Sequence, residues 1–400
     1  MFRGLPRIYW ILWAGALINR LGGFVLPLLA LYLTGERGIA VEQVGFIIAL
    51  WGGGSLIGGT LGGFLADRIG RRRTLILVLV LGALAMLHLA FARAPLHIAF
   101  AALLLGLFGE TYRPAMHAAV ADVVPPEGRA HAYGMLYWAA NIGFAFGSAA
   151  GGAMAKHGWW LLFFGDAATT LLFALVVWLR IPETRPEHPV HEKRPPLWAP
   201  LANRPFVVFV LLITLVGLLF HQAFVTLPID VRAHGLSTAA YGVLIALNGV
   251  LITLLQPGVS RALLKFRRDR VLAASAALVG IGFALTAVVG SIAGYVASIT
   301  VWTLGEIAMA GLAPAAVADA APPEQRGAYQ GLMQMGGGAA ALIAPVLGSL
   351  VLGRLGSAAL WTSCGAVGLI AAAGQLALGP LRRHEIPPAQ ARGTLESESF

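Results

Sequence analysis

The chain predicts an all-α polytopic membrane protein, with twelve transmembrane helices in two pseudo-symmetric six-helix bundles. Three observations predict it. Of 400 residues, 58% are hydrophobic and 12% charged, against roughly a quarter charged in soluble domains, and the mean hydropathy is +0.78. The apolar runs are long and continuous where a membrane barrel would alternate, and at about 20 residues per span the chain has room for about twelve. The second half also repeats the first. Val120-Ala121-Asp122 returns as Val317-Ala318-Asp319, Pro125-Pro126-Glu127 as Pro322-Pro323-Glu324, Arg129 as Arg326 and Gly134 as Gly331, all displaced by 197 positions (319 minus 122). Gly45, Ile48-Ala49-Leu50 and Gly52 return as Gly242, Ile245-Ala246-Leu247 and Gly249 at the same displacement. Chance does not hold one register over two separated blocks.

Taken in order, the first helix is expected over residues 8–33. Its basic start and apolar run resemble a signal peptide, but it lacks a small-residue cleavage site and contains Arg20, so it reads as a span. Spans over 44–66, 74–92, 96–121, 132–155 and 159–179 complete the first half. Residues 181–205 then carry seven prolines and clustered charge, the composition of a solvated linker. The second half is expected over 206–229, 241–264, 271–289, 292–318, 328–352 and 357–378. This gives an amino-terminal bundle over 1–181, a linker over 182–204, a carboxy-terminal bundle over 205–380 and a polar, disordered tail over 381–400. The single cysteine, Cys364, excludes an internal disulfide and a cysteine-rich metal site.

Charge placement sets the orientation. Of the 28 Lys and Arg, only Arg37, Arg93, Lys156, Arg232 and Arg354 fall in loops on the side opposite the amino terminus, and two lie inside helices. By the positive-inside rule this is a multi-pass protein of the cytoplasmic (inner) membrane with both termini cytoplasmic. The net charge of +10 thus follows membrane topology, and nucleic acid is not an expected partner.

Between the second and third helices runs GFLADRIGRRR, Gly63 to Arg73, which fits G-x-x-x-D-R-x-G-R-R through Gly63, Asp67, Arg68, Gly70, Arg71 and Arg72. Four arginines beside two long apolar runs cannot enter a bilayer core, so this is a tight loop at a membrane surface. Gly70 permits the turn and Gly63 lets a neighbouring helix approach. The motif resembles the signature loop between the second and third helices of the major facilitator superfamily. Pro182-Glu183-Thr184 is similar to the PET sequence that often ends the sixth facilitator helix, and with the repeat the resemblance covers essentially the whole chain. It implies a substrate path between the halves near the midplane. It also implies a conformational latch of Gly63, Asp67, Arg68, Gly70, Arg71 and Asp122. In that latch Asp67 meets the partial positive charge at the start of the eleventh helix, and Arg71 bridges Asp67 and Asp122. In the second half Arg261, Lys265, Arg267, Arg268 and Asp319 stand in the equivalent place, but the motif has decayed.

On the fifth helix Gly134, Gly143, Gly147, Gly151 and Gly152 reproduce G-x8-G-x3-G-P-x2-G-G, with Ser148 in place of the proline. Glycines at i, i+4 and i+8 make a smooth stripe for close helix packing. The pattern resembles the antiporter motif of drug/proton exchangers in the superfamily; an ordinary small-residue packing face is the alternative.

Charges inside the spans are few. Glu110 and Arg113 lie one turn apart in the fourth helix, Glu306 in the middle of the tenth, and Arg20, preceded by Asn19, in the middle of the first. A lone charge at mid-bilayer depth costs at least ~2.5 kcal/mol, so these side chains should face an inner cavity and pair. A glutamate whose burial and arginine partner change between two states exchanges a proton between them. Glu110, Arg113, Glu306 and Arg20 are therefore candidate proton-coupling residues, with static ion pairs as the alternative. The arginine that exchangers usually carry four residues before a glycine on the fourth helix is here Ala102, before Gly106, so Arg113 replaces it by depth alone.

Tyr137, Asn141, Phe144 and Ser148 share one face of the fifth helix, and Phe24, Trp51, His221, Gln222, Asn248, Trp302 and Gln334 lie at middle depths elsewhere. Such rings with a few uncharged polar groups suit amphiphilic substrates. His221 is a further candidate proton carrier, whereas Asp166 and Asp230 fall nearer the outer side and carry little weight.

The expected function is a secondary active transporter for proton-coupled efflux of small amphiphilic compounds by alternating access. It is expected to act as a monomer, with the proton gradient as driving force and no metal or cofactor. No G-x-x-x-x-G-K loop supports ATP drive, and no cluster with metal or nucleophile spacing supports an enzyme. An importer or uniporter for a sugar, peptide or other metabolite shares the fold and the loop, but does not need the fifth-helix glycines.

Overall fold

The computed structural model describes residues 5–185, 198–263, 265–322 and 325–385. Twelve long helical segments follow one another: α1 (Arg7–Glu36), α2 (Val41–Ile69), α3 (Arg71–Phe91), α4 (Pro95–Val123), α5 (Pro126–Met154) and α6 (Trp160–Arg180), then α7 (Arg204–Val225), α8 (Thr238–Leu263), α9 (Arg268–Leu285), α10 (Ile292–Ala320), α11 (Arg326–Leu355) and α12 (Ser357–Glu385). Among the described residues, eleven helices are long and apolar enough to cross a membrane. The twelfth, α5, has the length, 29 residues, but Tyr137, Trp138, Asn141 and its glycines dilute its apolar character.

Starts are locally encoded. Pro95 and Pro126 sit in the first turns of α4 and α5, where a missing N–H costs nothing. The Asn203 side chain accepts the Phe206 N–H at 2.9 Å to cap α7, and Ser291 caps α10 through the Gly294 N–H.

The packing repeats as the sequence does. In the first half α2 packs on α4, α3 on α4 and α6, and α1 on α5 and α6; in the second, α8 packs on α10, α9 on α10 and α12, and α7 on α11 and α12. The two largest crossings between the halves are α2 on α11 and α5 on α8, with smaller contacts of α1 on α7 and α8. The repeated glycines lie at these crossings. A Cβ at Gly242 of α8 would stand 2.5 Å from the Ser148 carbonyl oxygen and 3.0 Å from Gly152 Cα, and one at Gly249 2.8 Å from the Asn141 carbonyl oxygen. A Cβ at Gly45 of α2 would stand 2.7 Å from Ser349 Cβ, beside the Pro345 carbonyl, and one at Gly52 2.7 Å from the Ala341 carbonyl carbon. Ser148 and Pro345 are themselves 197 positions apart, so the proline absent from α5 stands at the matching place in α11.

Both seams lie in the part of the bundle remote from the Gly70 loop. Toward the loop the halves separate: Gly134, Gly258, Gly331 and Gly337 have open space where a Cβ would project, and Tyr137 is 41% exposed. The cleft between the halves therefore opens at the end carrying the basic loop.

Two helices expected to be continuous are interrupted. α1 breaks between Leu21 and Val25, where Gly22 leaves room for Thr169 of α6, while Gly143 of α5 presses on the Arg20 backbone. α4 breaks at Glu110-Thr111, between Gly109 and Tyr112. α12 continues past its expected end to Glu385; the rest of the expected tail, 386–400, and linker residues 186–197 lie outside the described residues.

Candidate functional site

The cleft carries a carboxylate in its carboxy-terminal wall. On α10, Glu306 accepts the Asn248 amide of α8 at 2.7 Å, and the same Nδ2 reaches the Thr303 hydroxyl at 3.1 Å. It lies within electrostatic reach of Tyr137 of α5 in the opposite half, whose backbone carbonyl accepts the Asn141 amide at 2.9 Å. Phe144 meets Phe224 of α7 edge to face at 5.8 Å. No cation comes within 4 Å of Glu306 among the described residues. In the amino-terminal half Glu110 is closed on Arg113 at 2.5 Å, with the arginine side chain 49% exposed. His221 is half-buried on α7, and Gln334 is exposed on α11.

Several residues expected in the cavity wall are elsewhere. Phe24 is buried under Gly151 and Gly165. Trp302 stacks on Phe283 at 5.2 Å inside the carboxy-terminal half. Gln222 ties α7 to the Ala344 carbonyl at 3.0 Å, and Ser148 is sealed in the α5–α8 seam. Asn19 and Trp51 do line a cavity, in the amino-terminal half. Position along a span fixes depth but not azimuth, and these helices are apolar on several faces, so sequence depth alone does not tell cleft from core. The glycine stripe packs mainly within its own half: Gly143, Gly147 and Gly151 face α1, and Gly152 faces α8.

At the basic end Gly70 takes φ +97°, a conformation that side chains resist, and turns the chain from α2 into α3. Arg71 sits between Asp122, at 2.8 Å from Nε, and Asp67, at 3.3 Å from Nη1, and donates to the Ala66 carbonyl at 2.9 Å. Arg68 lies over the Phe64 ring at 5.8 Å, and a Cβ at Gly63 would meet open space. The meeting of Asp67 with the start of α11 falls at Arg326, whose side chain lies outside the described residues, as do those of Arg261 and Asp319.

The PET segment supplies a part of this loop that sequence reasoning had not given a role. Glu183 accepts the backbone N–H groups of Arg71 at 2.7 Å and Arg72 at 3.3 Å, capping α3 where a carboxylate is favoured. Thr184 reaches Asp122 at 3.5 Å. The signal was in the sequence, an acid just after α6, but its partner lies over a hundred residues away. Glu183→Ala is expected to cost about 1 kcal/mol, as lost caps do, and to lower the Tm of the purified protein; an unchanged Tm would show that the cap contributes nothing.

The family model described as Major Facilitator Superfamily matches residues 12–252 and 222–397. The chain belongs to the major facilitator superfamily. Among its relatives, the uncharacterized MFS-type transporter YttB of Bacillus subtilis is 28% identical over 365 residues, covering 89% of this chain and 91% of the relative. A Na(+), Li(+), K(+)/H(+) antiporter of Planococcus maritimus is 26% identical, covering 76% and 80%. The multidrug resistance protein MdtH of Photorhabdus laumondii is 26% identical, covering 82% of each. An auto-inhibited POT family peptide transporter of known structure superposes with a TM-score of 0.80 at 16% identity, over 97% of this chain and 99% of that one. This facilitator is thus a multi-pass membrane transporter by family and by fold.

Proposed function

We propose that this facilitator exchanges protons for a small amphiphilic compound and moves it outward by alternating access, with Glu306 as the coupling carboxylate. The observation that carries the reading is a carboxylate in the cleft without a counter-cation among the described residues: Glu306 has an amide partner at 2.7 Å, whereas Glu110 is closed on Arg113 at 2.5 Å. An unpaired charge at such depth costs several kcal/mol, which a proton or a bound cationic group removes. Proton and substrate then exclude one another from one group, the condition for exchange. The positive-inside rule assigns the basic end to the cytoplasm, so the cleft as described receives its compound from that side. Two relatives named for antiport and multidrug resistance support the same direction.

The test is a pH-sensitive dye trapped in vesicles containing the purified protein. Lipophilic organic cations are expected to release protons when added, in proportion to their uptake. Proton uptake together with a sugar or peptide would assign the importer reading, and a response to alkali cations alone would assign ion exchange.

A further inference from the structure

We propose that Asp166 is a second proton-binding group, enclosed within the amino-terminal half and tied to the central cleft through Arg20, Glu110 and Arg113. The inference adds a site to the proton-exchange reading and rests on it for its use, but not for its test.

The two interrupted helices face each other. Between the break in α1 and the break in α4 lies a cavity of about 90 Å³, lined by Asn19, Arg20, Glu110, Tyr112, Asp166 and Thr170 together with apolar side chains. At ~30 Å³ per molecule, that volume holds a few waters, and its lining offers the polar partners they need. Asp166, on α6, is 9% exposed. Its carboxylate accepts the Val25 N–H at 3.5 Å, just past the α1 break, with the Phe24 N–H also turned to it. No cation comes within 4 Å of it among the described residues. Asn19 does not serve it, because its amide donates to the Thr170 hydroxyl at 3.0 Å.

Charge in this cavity is shared unevenly. Arg20, whose guanidinium lies over the Tyr112 ring at 5.9 Å, feels both Glu110 and Asp166. Among the described residues, those three and the Tyr112 hydroxyl are the ionisable groups on the cavity wall; α3 presents Val78, Leu79, Gly82 and Met86 there, and α2 Trp51. Glu110 has a second partner that Asp166 lacks, the half-exposed Arg113. While Arg113 holds Glu110, Arg20 is left to balance Asp166. When Arg113 turns to an anionic or polar group in the cleft, Glu110 draws on Arg20, and Asp166 is left a buried carboxylate without compensation, which a proton from the cavity water neutralises. An event in the cleft is thereby read inside the half-bundle.

Infrared difference spectroscopy of the full chain in lipid nanodiscs without substrate reads this directly. A pH step is expected to reveal a protonated-carboxyl C=O band that disappears in Asp166→Asn. At fixed neutral pH, Arg113→Gln is expected to raise the protonated-to-ionised ratio of that band about tenfold, and Glu110→Gln to lower it by a similar factor, as loss of one neighbouring charge does. If Asp166→Asn does not yield folded protein, the two single variants, which keep Asp166, decide the matter. If Asp166→Asn removes no component of the protonated-carboxyl band in a Glu306→Gln background, which silences the cleft carboxylate, or if neither Arg113→Gln nor Glu110→Gln moves the component in that background, the proposal is overturned. Because no transport is measured, a vesicle that fails to exchange protons would overturn the efflux reading and leave this site standing.

Discussion

Glu306→Gln is expected to abolish uphill efflux driven by a pH gradient, down to the level of vesicles without protein, while downhill movement of the same compound continues. The amide keeps the shape of the side chain and a hydrogen-bonding partner for Asn248, now 2.7 Å from Glu306 Oε2, but it carries neither charge nor exchangeable proton. It thus fixes the site in the state that a bound proton produces. The cleft can still open alternately to each side, so binding and equilibration survive, but the free energy of the gradient has no path into the cycle. Efflux assays of matched vesicles, with expression and monodispersity checked, decide the point. Concentrative transport in Glu306→Gln would remove Glu306 from coupling and return attention to Glu110, which loses its partner as soon as Arg113 moves.

Gly242→Leu is expected to hold the outer seam open. The added side chain must displace the backbone of α5 near Ser148 and Gly152, which leave no room even for a Cβ. Overpacking of this kind costs about 1–3 kcal/mol, and each 1.4 kcal/mol is tenfold in population, so this closed-seam state should become about 5- to 140-fold rarer. Spin labels across the two ends of the bundle would report it: longer distances at the end remote from the Gly70 loop and shorter ones at the loop. Gly52→Leu, at the α2–α11 crossing, should do the same through the other seam. Distance distributions matching those of the parent in both variants would show that the seams yield without cost.

Much of this was legible in the chain. The displacement of 197 positions announced two like halves, and the glycines that carry it, Gly45 and Gly52 with Gly242 and Gly249, are the residues at which the halves touch. A close backbone approach leaves a mark that sequence can show, because it excludes every other residue. The loop at Gly70 was legible for the same reason. Azimuth was not: Trp302 and Gln222 have the depth of cavity residues and the neighbours of core residues. Nor were the breaks, which lie where neighbouring helices approach closely: α5 and α6 at the α1 break, α2 and α3 at the α4 break. Asp166 carried little weight as a residue near the outer end, and gained it only when the α1 break placed the Val25 N–H beside it.

The seams have a consequence for speed. At Gly45, Gly52, Gly242 and Gly249 the halves meet with no side chain on one of the two facing surfaces. Closing an ordinary interface freezes side chains at about 0.5–1.5 kcal/mol each, and opening it must break interlocked rotamers in sequence. A glycine seam immobilises little when it forms and unlocks little when it parts. The two faces of the cycle can then lie close in free energy with a low ridge between them, so that one proton, worth a few kcal/mol in the cleft, is enough to choose the direction in which the molecule next opens.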